Sequence, residues 1–274
     1  MPSSPPEESS NSNCIDEPTR TVKRSRWWVH LVLIGGYVVP AIPLGWRQVH
    51  RPLLSSSAKG ALIIGCIQVA LFALVFGVGW LFSRASREQL FLRWKPGWWV
   101  VPLGIGYSLA IRFVIGIVLL AMIFFLLVTG VLTLESVPQF LTSGRPDVKK
   151  LVDISAMRNN SHYFWVMVTL NSFVLAGLRE EMWRAGTLAA MRTLWPNVFG
   201  DRQGQIVAVA LIAILFGFAH SLFGLLAIGV TAIMGFCLGL IIVVHKSIWP
   251  AVIAHGLLDA TAFALLSWSG NHSR

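Results

Sequence analysis

Six ionisable residues in the last third of the chain lie inside long apolar runs or at their ends, and their types suit acid–base chemistry. They are Glu180, Glu181, Arg184, His220, His255 and Asp259. Ionisable residues in membrane spans are costly, and they usually face a cavity, pair with one another or mark a functional pathway. Carboxylates and imidazoles are common general acids and bases. The pattern therefore favours one interior site over six unrelated polar positions.

Helical geometry makes these residues a coherent set. At about 100° per residue, Glu180 and Glu181 diverge, and Arg184 lies one turn later between them, where it could reach both carboxylates. His255 and Asp259 are four positions apart and share a face. Taken singly, each group fits a structural role, such as a salt-bridged helix end or an interhelical hydrogen bond. Together, on successive apolar segments, they favour a functional site.

The composition indicates a polytopic membrane protein. Of 274 residues, 55% are hydrophobic and 12% are charged, and the mean hydropathy is +0.68. A span needs about 20 apolar residues. We predict an all-α transmembrane bundle of seven or eight spans. The stretch 98–132 is too long for one helix. We expect three runs to lie inside the bundle rather than against lipid: 163–178, 206–219 and 248–268. The apolar runs are 27–46, 61–82, 113–132, 163–178, 206–219, 223–244 and 248–268.

Charge and turn residues divide the rest of the chain. The net charge of +10 comes from loops beside apolar runs, which favours anionic lipid headgroups over nucleic acid as the partner. We expect the protein to lie in a bacterial plasma membrane with its N-terminus in the cytosol. We also expect no regular structure through a polar loop at 134–161. The expected regions are a disordered, basic-ended tail at 1–26, membrane helices at 27–133 with an interfacial segment near 88–99, the polar loop at 134–161 and a catalytic membrane region at 162–268.

The motifs EEMWRAG, FGFAH and SIWPAVIAHGLLD resemble those of the CPBP family of intramembrane proteases. This family includes the type II CAAX prenyl endopeptidases and abortive-infection, bacteriocin self-immunity-like proteins. The resemblance covers roughly residues 160–265 and implies peptide hydrolysis at the membrane. One departure is the spacing: the family pattern is Glu-Glu-x-x-x-Arg, whereas two residues separate Glu181 from Arg184 here.

The resemblance implies a role for each residue. Glu180 is the expected base, His220 helps to position the water, and His255 donates to the oxyanion. Asp259 stands where many relatives have Asn, and we expect it to orient His255. We expect no required metal; the alternative is a divalent ion such as zinc. The metal candidates are Glu180, Glu181, His220 and His255.

Two other functions remain open at this point. The shifted Arg184 favours a catalytically weak or inactive scaffold or immunity-type protein of the same fold. A proton-coupled transporter is the weaker alternative, because the first half of the chain has few ionisable groups within its apolar runs beyond Arg112. The expected partners of a protease are membrane lipid and a membrane-bound or prenylated peptide. We expect the Gly235-x-x-x-Gly239 pair to serve packing within the chain rather than dimerisation.

Overall fold

The computed structural model describes residues 24–44, 52–143 and 146–268, and this part of the chain forms helices and turns without a strand. A π-helical segment, Met167–Leu178, joins α7 and α8 without a break. The helices are α1 Arg24–His30, α2 Ala41–Leu44, α3 Ala58–Ser83, α4 Val100–Val128, α5 Val137–Ser143, α6 Ile154–Asn159, α7 Ser161–Val166, α8 Arg179–Leu194, α9 Pro196–Phe199, α10 Arg202–Ala219, α11 Leu225–His245 and α12 Trp249–Trp268.

The polytopic helical bundle is confirmed, and the protein is an integral membrane protein. Six helical segments in the described ranges are long and apolar enough to cross a membrane. The predicted first span at 27–46 is interrupted at Val39 and Pro40, and residues 45–51 lie outside the described ranges, as does most of the tail. The six segments are Ala58–Ser83, Gly97–Val128, Ser161–Leu194, Arg202–Ala219, Leu225–His245 and Trp249–Trp268.

The expectation that 98–132 is too long for one helix is wrong for most of this run, because α4 is one unbroken helix of 29 residues. At 1.5 Å per residue it is about 44 Å long, which exceeds the roughly 30 Å hydrocarbon core. Tilt and extension into the headgroup region accommodate such a length. Pro102 does not break the helix, because it lies in the first turn, where no backbone donor is needed.

The expectation of an irregular polar loop at 134–161 is also wrong. This stretch contains α5 and α6. Pro138 is the second residue of α5, a position that tolerates proline. Asp153 starts α6 by accepting hydrogen bonds from the backbone N–H groups of Ser155 and Ala156.

The glutamates lie within a long helix rather than at its end. Segment Ser161–Leu194 is 34 residues long, and Glu180 is the second residue after its π-helical part. That part packs closely on α12: a Cβ added at Gly256 would lie 2.3 Å from the Phe173 ring, and one added at Gly177 would lie 2.9 Å from the Val252 carbonyl oxygen. The missing glycine side chains therefore bring the start of α8 against α12.

The expectation that 163–178, 206–219 and 248–268 lie inside the bundle agrees with their burial. In the most apolar part of Ser161–Leu194, 33% of residues are buried. In the most apolar part of α12, 44% of residues are buried, compared with 39% for α10 and 6% for α4. The α4 surface carries exposed apolar side chains such as Phe113, Leu120 and Phe124, as expected for contact with lipid. The polar residues thus lie on helices that are much better buried than α4.

Candidate active site

A cavity of about 580 Å³ lies between the helices, and four of the six candidate residues line it. Most of its wall is apolar, including Trp183 from α8. Glu181 and Arg184 are not on this wall; both are fully buried behind it. The four lining candidates are Glu180, His220, His255 and Asp259.

Glu181 connects α8 to α12. Its Oε1 atom is 2.8 Å from Nδ1 of His255, which donates the hydrogen bond. Its Oε2 atom pairs with the Arg184 guanidinium, three residues later on the same helix. A buried carboxylate needs such partners, because an isolated buried charge is strongly unfavourable. Glu181 is therefore placed to fix the orientation of the His255 ring.

Arg184 fits because α11 has no side chains where the guanidinium lies. A Cβ added at Gly235 would be 3.4 Å from Arg184 Nη2, and one added at Gly239 would be 3.4 Å from Arg184 Cδ. Arg184 Cζ also lies 4.7 Å from the Phe216 ring centroid, a cation–π distance. The Gly235–Gly239 pair thus serves packing within the chain, as expected.

Glu180 has a different guanidinium as its partner, so the prediction that Arg184 could reach both glutamates is wrong. Arg179 Nη2 donates to Glu180 Oε1 at 3.1 Å. The other oxygen, Oε2, faces His255 Nε2 at 3.8 Å. The side chains of Arg179 and Glu180 are 20% and 18% exposed, and both line the cavity.

Sequence analysis missed Arg179 and its second partner, Gln68. Arg179 Nη1 donates to Gln68 Oε1 at 2.9 Å, across the contact between α8 and α3. Two signals could have found them. Arg179 directly precedes Glu180, and Gln68 is the only amide side chain in the apolar run 61–82.

His220 ends α10 and faces the same cavity. Its Nδ1 atom donates to the Phe216 carbonyl oxygen at 2.8 Å, which leaves Nε2 available for another partner. The Phe216 ring lies near both histidines, with centroid distances of 4.4 Å to His220 and 6.4 Å to His255. Phe216 and both imidazoles therefore line the same part of the cavity.

Asp259 lines the cavity, but Nδ1 of His255 makes its hydrogen bond with Glu181 instead. The expectation that Asp259 orients this ring is wrong, because Glu181 makes that hydrogen bond. Arg112, the ionisable residue noted in the first half, serves to dock α4 on α12. It donates to the Leu257 carbonyl oxygen at 3.0 Å and to the Thr261 hydroxyl.

The residues do not fit a zinc site in this arrangement. In the described ranges, no group of three or more His, Cys, Asp or Glu side chains is placed to hold one metal ion. Glu180 and Glu181 approach different nitrogens of His255, and the Glu181 oxygens are used by His255 and Arg184. Zinc sites usually bring at least three protein ligands to one point.

Residues 161–261 match the family model described as Type II CAAX prenyl endopeptidase Rce1-like. This match supports membership of the CPBP family for that part of the chain. No curated protein and no solved structure matches it. The range that matches this CPBP model includes all six candidate residues and Arg179, whereas Gln68 lies outside it.

Proposed function

We propose that this protein is an intramembrane endopeptidase in which Glu180 activates a water molecule. The observation that carries the proposal is the approach of Glu180 Oε2 to His255 Nε2, 3.8 Å apart at the cavity. The remaining polar atoms of both groups are engaged elsewhere, Oε1 by Arg179 and Nδ1 by Glu181. A base and a hydrogen-bonding group therefore face one point of the cavity.

The reaction follows from these positions. Glu180 Oε2 accepts a proton from water, and the hydroxide oxygen bonds to the carbonyl carbon of the peptide. The C–N bond then breaks, and the proton held by Glu180 passes to the leaving amine. The products are a carboxylate and an amine, and no atom of the enzyme is consumed. General base catalysis of this kind contributes about 10²–10⁴-fold.

The two histidines complete the proposed site. Protonated His255 donates from Nδ1 to Glu181 and from Nε2 to the oxygen that becomes negative in the tetrahedral intermediate. His220, with Nδ1 held by the Phe216 carbonyl oxygen, uses Nε2 to orient the water. Asp259 lies on the wall of the same cavity, beside these groups.

A direct attack by water also agrees with the lining of the cavity. Its described lining includes no Ser or Cys, and its one hydroxyl on an aliphatic side chain, that of Thr231, donates to the Ala227 carbonyl oxygen at 2.6 Å. An acyl-enzyme mechanism needs a nucleophile next to a base. The largely apolar wall suits a substrate held at the membrane, and a prenylated peptide is one such substrate.

The test uses purified protein in liposomes with a panel of membrane-anchored peptides, prenylated and unmodified, in H₂¹⁸O. We expect cleavage of at least one peptide and one ¹⁸O atom in the new carboxylate, read by mass spectrometry. Glu180→Ala protein is the matched control and leaves the peptides intact. The scaffold alternative instead predicts no cleavage by either protein, and that result across the panel would contradict the proposal.

A further inference from the structure

We propose that Arg179 and Gln68 position the catalytic carboxylate of Glu180. This inference rests on the proposed function, because it assigns the pair a part in setting the rate of that reaction. Neither residue touches the reacting atoms in the proposed mechanism. Both act through the Glu180 side chain, so they are positioning residues.

The arrangement is a bridge made by one guanidinium. Nη2 of Arg179 donates to Glu180 Oε1 at 3.1 Å, while Nη1 donates to Gln68 Oε1 at 2.9 Å. Arginine can do this because its planar fork presents several N–H groups in fixed directions. The bridge connects α8 to α3, so the position of one helix constrains a side chain on the other.

The bridge is possible because α3 packs closely against the π-helical segment that precedes α8. Gly65 lies one turn before Gln68, and a Cβ added there would be 2.9 Å from Cδ2 of Leu170 in the π-helical segment. Residues three apart lie on the same side of a helix. The face of α3 that contains Gly65 therefore presents Gln68 to the start of α8.

Helix geometry alone does not explain the contact between Arg179 and Glu180. Neighbouring residues on an α-helix point in different directions, so an ion pair between positions i and i+1 is not a regular feature of helices. The hydrogen bond to Gln68 provides a second anchor that holds the Arg179 side chain at the cavity. Without that anchor, the guanidinium has other rotamers available to it.

The consequence for catalysis concerns the direction of Glu180. The last torsion angle of a glutamate is broad, so a free carboxylate samples many orientations. With Oε1 held by Arg179, the remaining oxygen, Oε2, is kept facing His255 Nε2 at 3.8 Å. Misplacement of a reacting group by about 1 Å can reduce a rate by roughly 100-fold. Arg179 therefore affects turnover more than substrate binding.

The experiment measures kcat, KM and melting temperature for Arg179→Met, Arg179→Lys, Gln68→Leu and the Arg179→Met/Gln68→Leu double variant. The reconstituted protein and the peptide cleaved by wild type are used throughout. Arg87→Met and Gln139→Leu are matched controls, because these residues are exposed. We expect Arg179→Met to lower kcat by about 10- to 100-fold, with KM within about twofold and the melting temperature close to wild type.

The other variants separate positioning from a general structural role. Arg179→Lys recovers part of kcat, because lysine keeps the charge but lacks the fork that bridges two acceptors. Gln68→Leu lowers kcat less than Arg179→Met does, and the double variant is no slower than Arg179→Met alone, because Gln68 acts through Arg179. Additive losses in the double variant would overturn the proposed coupling.

The outcomes also separate this inference from the proposed function. If Glu180→Gln loses activity while Arg179→Met keeps the wild-type kcat, the positioning role is wrong and the protease assignment stands. If Glu180→Gln cleaves as fast as wild type, the proposed function itself fails. A parallel fall in melting temperature and kcat for both Arg179 variants would show a merely structural role and would also overturn the inference.

Discussion

Glu181 on α8 and His255 on α12 make a hydrogen bond of 2.8 Å between Oε1 and Nδ1, and both residues are buried. The adjacent Glu180 approaches the opposite nitrogen of the same ring, Nε2, at 3.8 Å. Two consecutive glutamates thus face the two nitrogens of one imidazole. This arrangement gives them different tasks: Glu181 orients the ring, and Glu180 is left facing the cavity.

Arg184→Ala is expected to destabilise the protein as well as reduce its activity. The substitution leaves the fully buried carboxylate of Glu181 without its guanidinium partner, and breaking a buried ion pair typically costs about 3–5 kcal/mol. The measurement is the melting temperature in detergent together with the yield of folded protein. Arg93→Ala removes an exposed ion pair with Glu88 and serves as the control, with little expected change. Equal melting temperatures for the two variants would contradict the burial argument.

Gly239→Ala is expected to destabilise the contact between α11 and α10. The new methyl group would lie 2.5 Å from Cγ1 of Val209, a buried side chain, and overpacking of this kind costs about 1–3 kcal/mol. Gly229→Ala on the same helix is the matched control, because nothing lies within 4 Å of its added Cβ. We expect Gly229→Ala to keep or raise the melting temperature. A stable Gly239→Ala variant would count against this packing.

The sequence predicts the membrane helices well because apolar length is a local property. Runs 61–82, 206–219 and 248–268 correspond closely to α3, α10 and α12. Length alone could not decide whether 98–132 is one helix or two, because a helix can tilt or extend beyond the hydrocarbon core. Nor could periodicity show that α7 and α8 are joined by a π-helical segment, since the pattern used assumes α-helical spacing.

The choice of polar partners in the site could not be read from spacing. A regular helix places Arg184 near both glutamates, but the side chain turns towards the space beside Gly235 on α11 and pairs with Glu181. Gln68 is more than a hundred positions from Arg179, and only the tertiary contact brings them together. Local patterns thus identified the ionisable residues, while their pairing depends on how the helices pack.

Asp259→Asn is expected to change cleavage only mildly. The Nδ1 hydrogen bond of His255 goes to Glu181, so the amide leaves the ring orientation intact. Asn is also close to Asp in size, which preserves the cavity wall. The cleavage rate and the melting temperature are the measurements. A loss as large as that of Glu180→Gln would contradict this expectation and show that the Asp259 carboxylate is essential as well.

Treatment with a chelator distinguishes activation of water by Glu180 from activation of water by a bound metal ion. We expect purified protein, treated with a chelator and shown to keep its melting temperature, to cleave at its original rate without added metal. The physical reason is that Glu180 itself accepts the proton in the proposed reaction. Activity that disappears with chelator and returns only with zinc would instead assign Glu180, His220 and His255 to metal binding.

The cleavage rate of Glu180→Gln protein tests the central claim most directly. Glutamine keeps the size of the side chain and removes only the proton acceptor, so we expect the rate to fall by about 10²–10⁴-fold while the melting temperature stays near that of wild type. Glu135→Gln, at an exposed carboxylate, is the control and keeps full activity. If Glu180→Gln cleaves the membrane-anchored peptide as fast as wild type, Glu180 is not the base and its contacts serve only to hold the helices together.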